Sequence, residues 1–181
     1  MAAEAPREHQ ARAYLRRVDA NDRSEFLQLM RISRHLHQPW ISPPLTDLSF
    51  QHYLSRTNRE DHEGLLVCQQ EDDRIAGVIN INNMVRGSFL SASLGYYAGA
   101  TFAGKGLMRE GLELVKQFAF NDLGLHRLEA NIQPDNQRSI TLVRQCGFHH
   151  EGMSRDFLFI NGKWRDHQRW TCVHARTTLR G

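Results

Sequence analysis

The stretch Gly99-Ala100-Thr101-Phe102-Ala103-Gly104-Lys105-Gly106-Leu107-Met108 has the residue types to hold a phosphate. A glycine-rich turn that opens a helix leaves backbone N–H groups unpaired and aimed outward. The helix dipole adds partial positive charge at the same place. An anion can sit there without any charged side chain, and Lys105 offers one. Two nucleotide motifs are excluded by single positions. A Walker A loop needs Ser or Thr where Gly106 stands, to hold magnesium, and the dinucleotide fingerprint needs a third glycine where Arg109 stands. On these residues alone, a turn that merely joins a strand to a helix remains an alternative.

The other reactive residue types are scattered. The 10 histidines and 3 cysteines show no metal-ligand spacing, so no metal is expected. His149 and His150 are adjacent, and on a strand they face opposite sides. Cys68, Cys146 and Cys172 read as free thiols of a reducing compartment. Glu129 has the chemistry of a general base. Flanked by Leu128 and Ala130, it is equally suited to an ion pair. Arg155-Asp156 and Arg165-Asp166-His167 read as solvated charges on a hairpin.

These residues need elements to position them. Ala13–Val18 predicts a first strand. Asn21 or Ser24 caps a helix carrying Phe26, Leu27, Met30 and Ile32. Pro39, Pro43 and Pro44 then stop any helix and leave Trp40 on a loop. A short helix follows over about Leu45–Leu54. Gly64–Cys68, Arg74–Ile81 and Phe89–Tyr97 read as strands, the first two joined at Glu71-Asp72-Asp73. The glycine-rich turn then opens a helix with Leu107, Leu112, Val115 and Phe118/Ala119 at helical spacing. His126–Ile132 is a strand, and Asn136–Gln145 a helix. A last hairpin, Phe148–Phe159 with Lys163–His174, turns at Asn161-Gly162. This order alone gives an α/β or α+β chain.

Composition sets the outer limits. A chain of 181 residues, 40% hydrophobic and 24% charged, suits one soluble domain. A net charge of +3 favours anionic partners and is too small to argue nucleic-acid recognition. Residues 1–11 and 176–181 read as tails. Met1–Glu8 has no apolar signal core, and no run approaches about eighteen apolar residues. A cytoplasmic protein with no membrane partner is therefore expected.

Several motifs recur in a fixed order: Val85-Arg86-Gly87-Ser88-Phe89, Gly104-Lys105-Gly106-Leu107-Met108, His126-Arg127, Asn136 with Arg138-Ser139, Cys146-Gly147-Phe148, Glu151-Gly152 and Asn161–His167. In this the chain resembles the ribosomal-protein-alanine N-acetyltransferases, the RimJ/RimL branch of the GNAT superfamily, and the RimJ type most closely. The resemblance spans residues 12–175, read as a single domain, and is looser before residue 75. It implies a mixed sheet of about seven strands with helices on both faces. It implies acetyl-CoA as cosubstrate and no metal.

The resemblance also implies roles. Ala103, Gly104, Lys105, Gly106, Leu107 and Met108 match the family's acyl-CoA loop, usually Gln/Arg-x-x-Gly-x-Gly/Ala. Ala103 and Met108 depart from its ends, and the central glycine agrees. Backbone groups of Tyr96, Tyr97 and Ala98 would lie along the pantetheine, with Asn136 bonded to it. Ser139 would protonate the leaving thiolate. The family's alternative tyrosine appears here as Phe157, which has no proton, so Tyr97 or water is the other candidate. Trp40 and Phe157 would wall the acceptor site. Acetyl transfer needs a neutral amine. At pH 7 an α-amine of pKa about 7.8 is roughly one-seventh neutral, and a lysine amine only about 0.04%. A site without an evident base therefore suits a protein N-terminus, such as that of a ribosomal protein. The other readings are an acetyltransferase for an antibiotic, an amino-acid conjugate or a polyamine, and a non-catalytic CoA-binding or ribosome-associated module. Either a monomer or a homodimer is compatible.

Overall fold

A computed structural model describes residues 11–175. Apart from Ala11, the tails read from the sequence at 1–11 and 176–181 lie outside the described residues. In chain order the elements are β1 (Ala13–Arg17), α1 (Arg23–Ile32), α2 (Arg34–His37), α3 (Asp47–Thr57), β2 (Glu63–Gln69), β3 (Ile75–Val85), β4 (Ser91–Ala98), α4 (Leu107–Gln117), β5 (Arg127–Ile132), α5 (Gln137–Gln145), β6 (His149–Ile160) and β7 (Lys163–Val173). The strands form one seven-stranded sheet in the order β1-β2-β3-β4-β5-β7-β6. All neighbours are antiparallel except β4 and β5, which are parallel. A parallel pair needs a crossover between its strands, and α4 supplies it.

Strand alternation divides the core between two faces. Leu65, Val67, Ile79, Ala92, Leu94, Leu128, Ala130 and Ile132 pack with Leu112 and Val115 of α4 and Ile140 and Val143 of α5. Leu66, Cys68, Ile75, Val78 and Tyr97 turn the other way, onto Phe26 and Met30 of α1 and Phe50 and Tyr53 of α3. Central strands covered on both sides read as continuous apolar runs, as Gly64–Cys68 does. α4 lies close on β2 because Gly111 has no side chain; a Cβ there would stand 2.5 Å from a Val67 methyl.

Local signals account for most boundaries. Thr46 and Ser49 bond reciprocally as a capping box, which starts α3 at Asp47, two residues after the expected Leu45. Asp19 and Asp22 form a similar box on a short 3-10 turn before α1, so neither Asn21 nor Ser24 caps that helix. Ile32, expected on the buried face of α1, is 53% exposed. Helix α2 is an extra turn that the periodicity did not announce. The last hairpin turns at Asn161 and Gly162, with φ of 51° and 77°, the left-handed pair that a two-residue hairpin loop needs.

Candidate active site

The parallel pair β4–β5 is short. It runs from Ser91 opposite Arg127 to Leu94 opposite Ala130 and stops. Beyond that point β4 stays paired with β3 as far as Ala98, and β5 with β7 as far as Ile132. The two strands therefore part and leave a gap within the sheet. Gly99 N–H donates to the Ala76 carbonyl at 2.8 Å. This makes Ala98 and Gly77 a non-hydrogen-bonded pair, so the Ala98 N–H and C=O point away from β3. By alternation, the Tyr96 N–H and C=O do the same. The Tyr96 N–H and C=O and the Ala98 N–H thus face the gap, turned toward any extended ligand arm, while the Ala98 carbonyl meets His37 Nε2 at 2.8 Å.

The glycine-rich turn closes one end. Gly104 and Gly106 have φ of +76° and +84°, a conformation that costs other residues strain. Gly106 is the N-cap of α4 with no side-chain cap, so the first N–H groups of the helix face outward, as an anion requires. Cations gather around it. Lys105 Nζ and the Arg74 guanidinium lie 5.2 and 5.1 Å from the Phe102 ring centre. Arg12 grips Glu110, in the first turn of α4, through its backbone N–H at 3.0 Å and its Nε at 2.8 Å. A Cβ at Gly106 would stand 3.0 Å from the Arg12 guanidinium.

On the α4/α5 side of the gap, the Tyr96 phenol and the Ser139 hydroxyl are 2.5 Å apart. Asn136 positions this pair as the N-cap of α5, its side-chain oxygen accepting from the Ser139 N–H at 3.2 Å. Burial pushes the Tyr96 pKa up, and the Ser139 hydrogen bond offsets part of that rise. The phenol therefore stays protonated at neutral pH, and the two hydroxyls form a short chain along which a proton can move.

The other expected site residues divide as follows. Tyr97 lies on the opposite face from Tyr96. Its ring meets Phe26 and His37 edge-on, at 6.5 and 5.6 Å between centres, and it is buried with Asn80 and Tyr53 around its hydroxyl. It is not brought to Ser139. Glu129 is held by the Arg127 Nε at 2.9 Å, and Arg127 also grips Glu151. Trp40 is half-buried on its loop. Its carbonyl accepts from Gln133 Nε2 at 3.3 Å, and the neighbouring Pro39 carbonyl accepts from Asn161 Nδ2 at 2.9 Å. The loop thus bridges from α2 to the end of β5 and the β6–β7 turn. Phe157 is 38% exposed on β6, its ring edge-on to His167. His167, read as a solvated charge, is 2% exposed, and its Nδ1 bonds the Arg165 carbonyl at 2.9 Å. Arg12 and the Tyr96 hydroxyl are additions that spacing did not single out. No helix of the described residues is long and apolar enough to cross a membrane.

The chain is similar to known proteins along most of its length. Residues 12–149 match the family model described as "Acetyltransferase (GNAT) domain". The [Ribosomal protein uS5]-alanine N-acetyltransferase of Escherichia coli (strain K12) is 37% identical over 145 residues, which cover 75% of this chain and 74% of that one. The N-acetyltransferase YjcK of Bacillus subtilis (strain 168), named there as probable, is 31% identical over 86% of this chain and 90% of its own. The spermidine N(1)-acetyltransferase of Vibrio cholerae is 23% identical over 90% and 93%. Among solved structures, Mycobacterium smegmatis RimJ in complex with CoA-disulfide superposes with a TM-score of 0.81 at 23% identity, covering 89% of this chain and 81% of that one. The parted strands, the glycine turn at a helix start and the family match over residues 12–149 agree, and the chain belongs to the GNAT family as an acetyl-CoA-dependent N-acetyltransferase.

Proposed function

We propose that the protein acetylates the N-terminal α-amine of a protein chain, of the ribosomal-protein-alanine kind, by direct transfer from acetyl-CoA in a ternary complex. The diphosphate would rest on the turn from Ala103 to Met108, with Arg74 and Lys105 supplying positive charge and Arg12 engaging the Glu110 carboxylate beside it. The pantetheine arm would pair with the Tyr96 backbone and the Ala98 N–H in the gap, near Asn136; the Tyr97 backbone, expected to take part, pairs with Val78 of β3 instead. The N–H groups of β4 that face the gap would stabilise the negative charge on the thioester oxygen. Ser139, relayed from Tyr96, would protonate the departing thiolate.

One observation carries the choice of acceptor. Glu129, the carboxylate that β5 turns toward the acceptor face, is already engaged by the Arg127 Nε at 2.9 Å and so is not left free along that face. A polyamine carries several positive charges and calls for free carboxylates along its path. An N-terminal peptide carries one amine on an extended chain. The exposed Phe157, Leu158, Phe159 and Trp164 of the last hairpin offer apolar area for such a chain. The likeness to the uS5-alanine enzyme favours the same reading, and a cytoplasmic setting goes with it. The spermidine relative marks the competing acceptor. Thiol release measured with peptides beginning Ala or Ser, the same peptides with blocked N-termini, and spermidine decides between them. Free peptides should turn over, and blocked peptides should not. Turnover of spermidine alone overturns the proposal.

A further inference from the structure

His37, the last residue of α2, is 3% exposed and lies outside every motif of the family loop. Its Nε2 is 2.8 Å from the Ala98 carbonyl oxygen. A carbonyl has no proton to give, so Nε2 carries the hydrogen. Burial pushes the pKa of the ring down from its ordinary value, which keeps it neutral near pH 7. A neutral imidazole has one N–H, so Nδ1 is a bare lone pair. Among the described residues that atom is buried and has no hydrogen-bond partner.

The position of the ring gives this lone pair a use. The Ala98 carbonyl points away from β3 into the gap between β4 and β5, so the imidazole that meets it stands at the edge of that gap. It does so beneath the loop that carries Trp40, on the side of the sheet covered by α1 and α3. Across the gap, Asn131 is the first β5 residue past the last β4–β5 pair. Its neighbours Ala130 and Ile132 face α4 and α5, so Asn131 faces the same side as His37. Its Oδ1 is a second buried acceptor without a partner among the described residues. Gln133, two residues on, reaches the Trp40 carbonyl, which ties this end of β5 to the loop after His37. Two unpaired acceptors on either side of one gap suit a ligand that brings N–H donors. The Tyr96–Ser139 hydroxyls wait on the opposite face.

We propose that His37 is the general base of the acetyl transfer, taking the proton of the acceptor amine at Nδ1 while Asn131 Oδ1 holds its second N–H. This rests on the reading that a free amine is the acceptor. As the amine nitrogen forms its bond to the thioester carbon, one N–H proton passes to Nδ1. The resulting imidazolium keeps its Nε2–H bond to Ala98 and later releases a proton to solvent. The carbon–sulfur bond breaks, and the thiolate takes a proton from Ser139, which recovers one from Tyr96; the part-buried phenol in turn takes a proton from solvent, balancing the one that His37 releases. The titratable and charged groups facing the ring are few. Tyr97 from β4 is kept neutral because burial raises its pKa. His35 lies on the same turn. Tyr53 and the Arg56 stacked on it, both from α3, stand behind Tyr97. Glu129 on β5 is held by Arg127, which also holds Glu151.

His37→Gln tests the assignment, because a side-chain amide can still donate to Ala98 but cannot accept a proton. With the acceptor that the wild-type protein turns over, kcat should fall about a hundredfold or more, with CoA affinity within twofold and an unchanged melting temperature. His37→Ala should lose as much, and added imidazole should restore its rate in proportion to the neutral form, a rescue that a packing role would not give. Asn131→Ala should raise the acceptor KM several-fold. If His37→Gln keeps kcat within threefold, if its CoA affinity falls in step with kcat, or if imidazole restores nothing to a folded His37→Ala, His37 is not the base. The acceptor class fails separately. Were only a small amine acetylated, the same variants assayed on that amine would still read the base.

Discussion

Ser139 can act only if its hydroxyl both gives a proton and recovers one, and the phenol 2.5 Å away is placed to return it. Ser139→Ala should therefore lower kcat by about 10² to 10⁴ and leave the CoA dissociation constant, measured by calorimetry, nearly unchanged. Tyr96→Phe removes the relay and keeps the serine, so its loss should be smaller, about tenfold. Equal losses for CoA binding and kcat would return both residues to a packing role. At this scale the sequence was legible in part. Ser139 and Asn136 stand out by motif. The choice between Tyr96 and Tyr97 does not, because β4 is covered on both faces. A strand buried on both sides shows no alternation of polar and apolar residues, so nothing in the pattern says which tyrosine turns toward α5. His37 was equally silent: a histidine beside a proline-rich loop gives no sign of whether it is solvated or sealed under that loop.

At the scale of elements, the anion site proposed at the start of α4 depends on the two left-handed glycines that precede the helix. Gly106→Val places a β-branched residue at φ +84°, where such residues are outliers, and brings a side chain toward the Arg12 guanidinium. CoA affinity should fall tenfold or more, about 1.4 kcal/mol, in a protein that still folds; unchanged affinity would remove the turn from the site. A second element-level device is the clamp joining β5, β6 and β7. Arg127 and the Thr171 hydroxyl hold the Glu151 carboxyl down at about 2, from an ordinary 4.5. A depressed carboxyl stabilises the fold fully above its unfolded value and loses that contribution as pH falls through the folded one. Glu151→Gln should thus lower the melting temperature at pH 7 slightly, since a pair this exposed contributes about 1 kcal/mol or less. Between pH 5 and 2 the variant's melting temperature should decline less steeply than the wild type's; parallel declines would mean the clamp carries no acid sensitivity. The succession of elements along the chain, the Asn161-Gly162 turn and the start of α5 were readable because each rests on signals between near neighbours. The pairing of Arg12 with Glu110, 98 residues apart, was not, since it exists only once β1 and α4 lie side by side.

Across the whole molecule, the gap between β4 and β5 opens on both faces of the sheet, and the two faces carry different chemistry. The glycine turn, the cations and the Ser139–Tyr96 pair belong to the α4/α5 side. The Trp40 loop, Phe157 and the buried His167 belong to the side of α1 and α3. On the proposed reading each substrate has its own approach, and the sheet keeps the two apart except at the point where β4 and β5 part. Loop 38–42 spans that second side, tied to β5 through Gln133 and to the hairpin turn through Asn161. Trp40, half-buried on this bridge, presents a large rigid surface with little entropy to lose when a chain docks. Trp40→Ala should therefore raise the KM of an N-terminal peptide several-fold while CoA affinity stays within twofold, because the glycine turn and the Ser139–Tyr96 pair lie on the other face of the sheet. Asn161→Ala, which cuts the tie to the hairpin, should raise the same KM and leave CoA affinity alone as well. The arrangement makes a sharper demand on their combination. If loop and hairpin form one wall, the double variant should lose less than the product of the two single losses, since both act on the same surface. Fully multiplicative losses would mean that Trp40 and the hairpin meet the acceptor independently. A Trp40→Ala protein that unfolds, with normal KM in its surviving fraction, would make the tryptophan a core residue and move the acceptor path elsewhere.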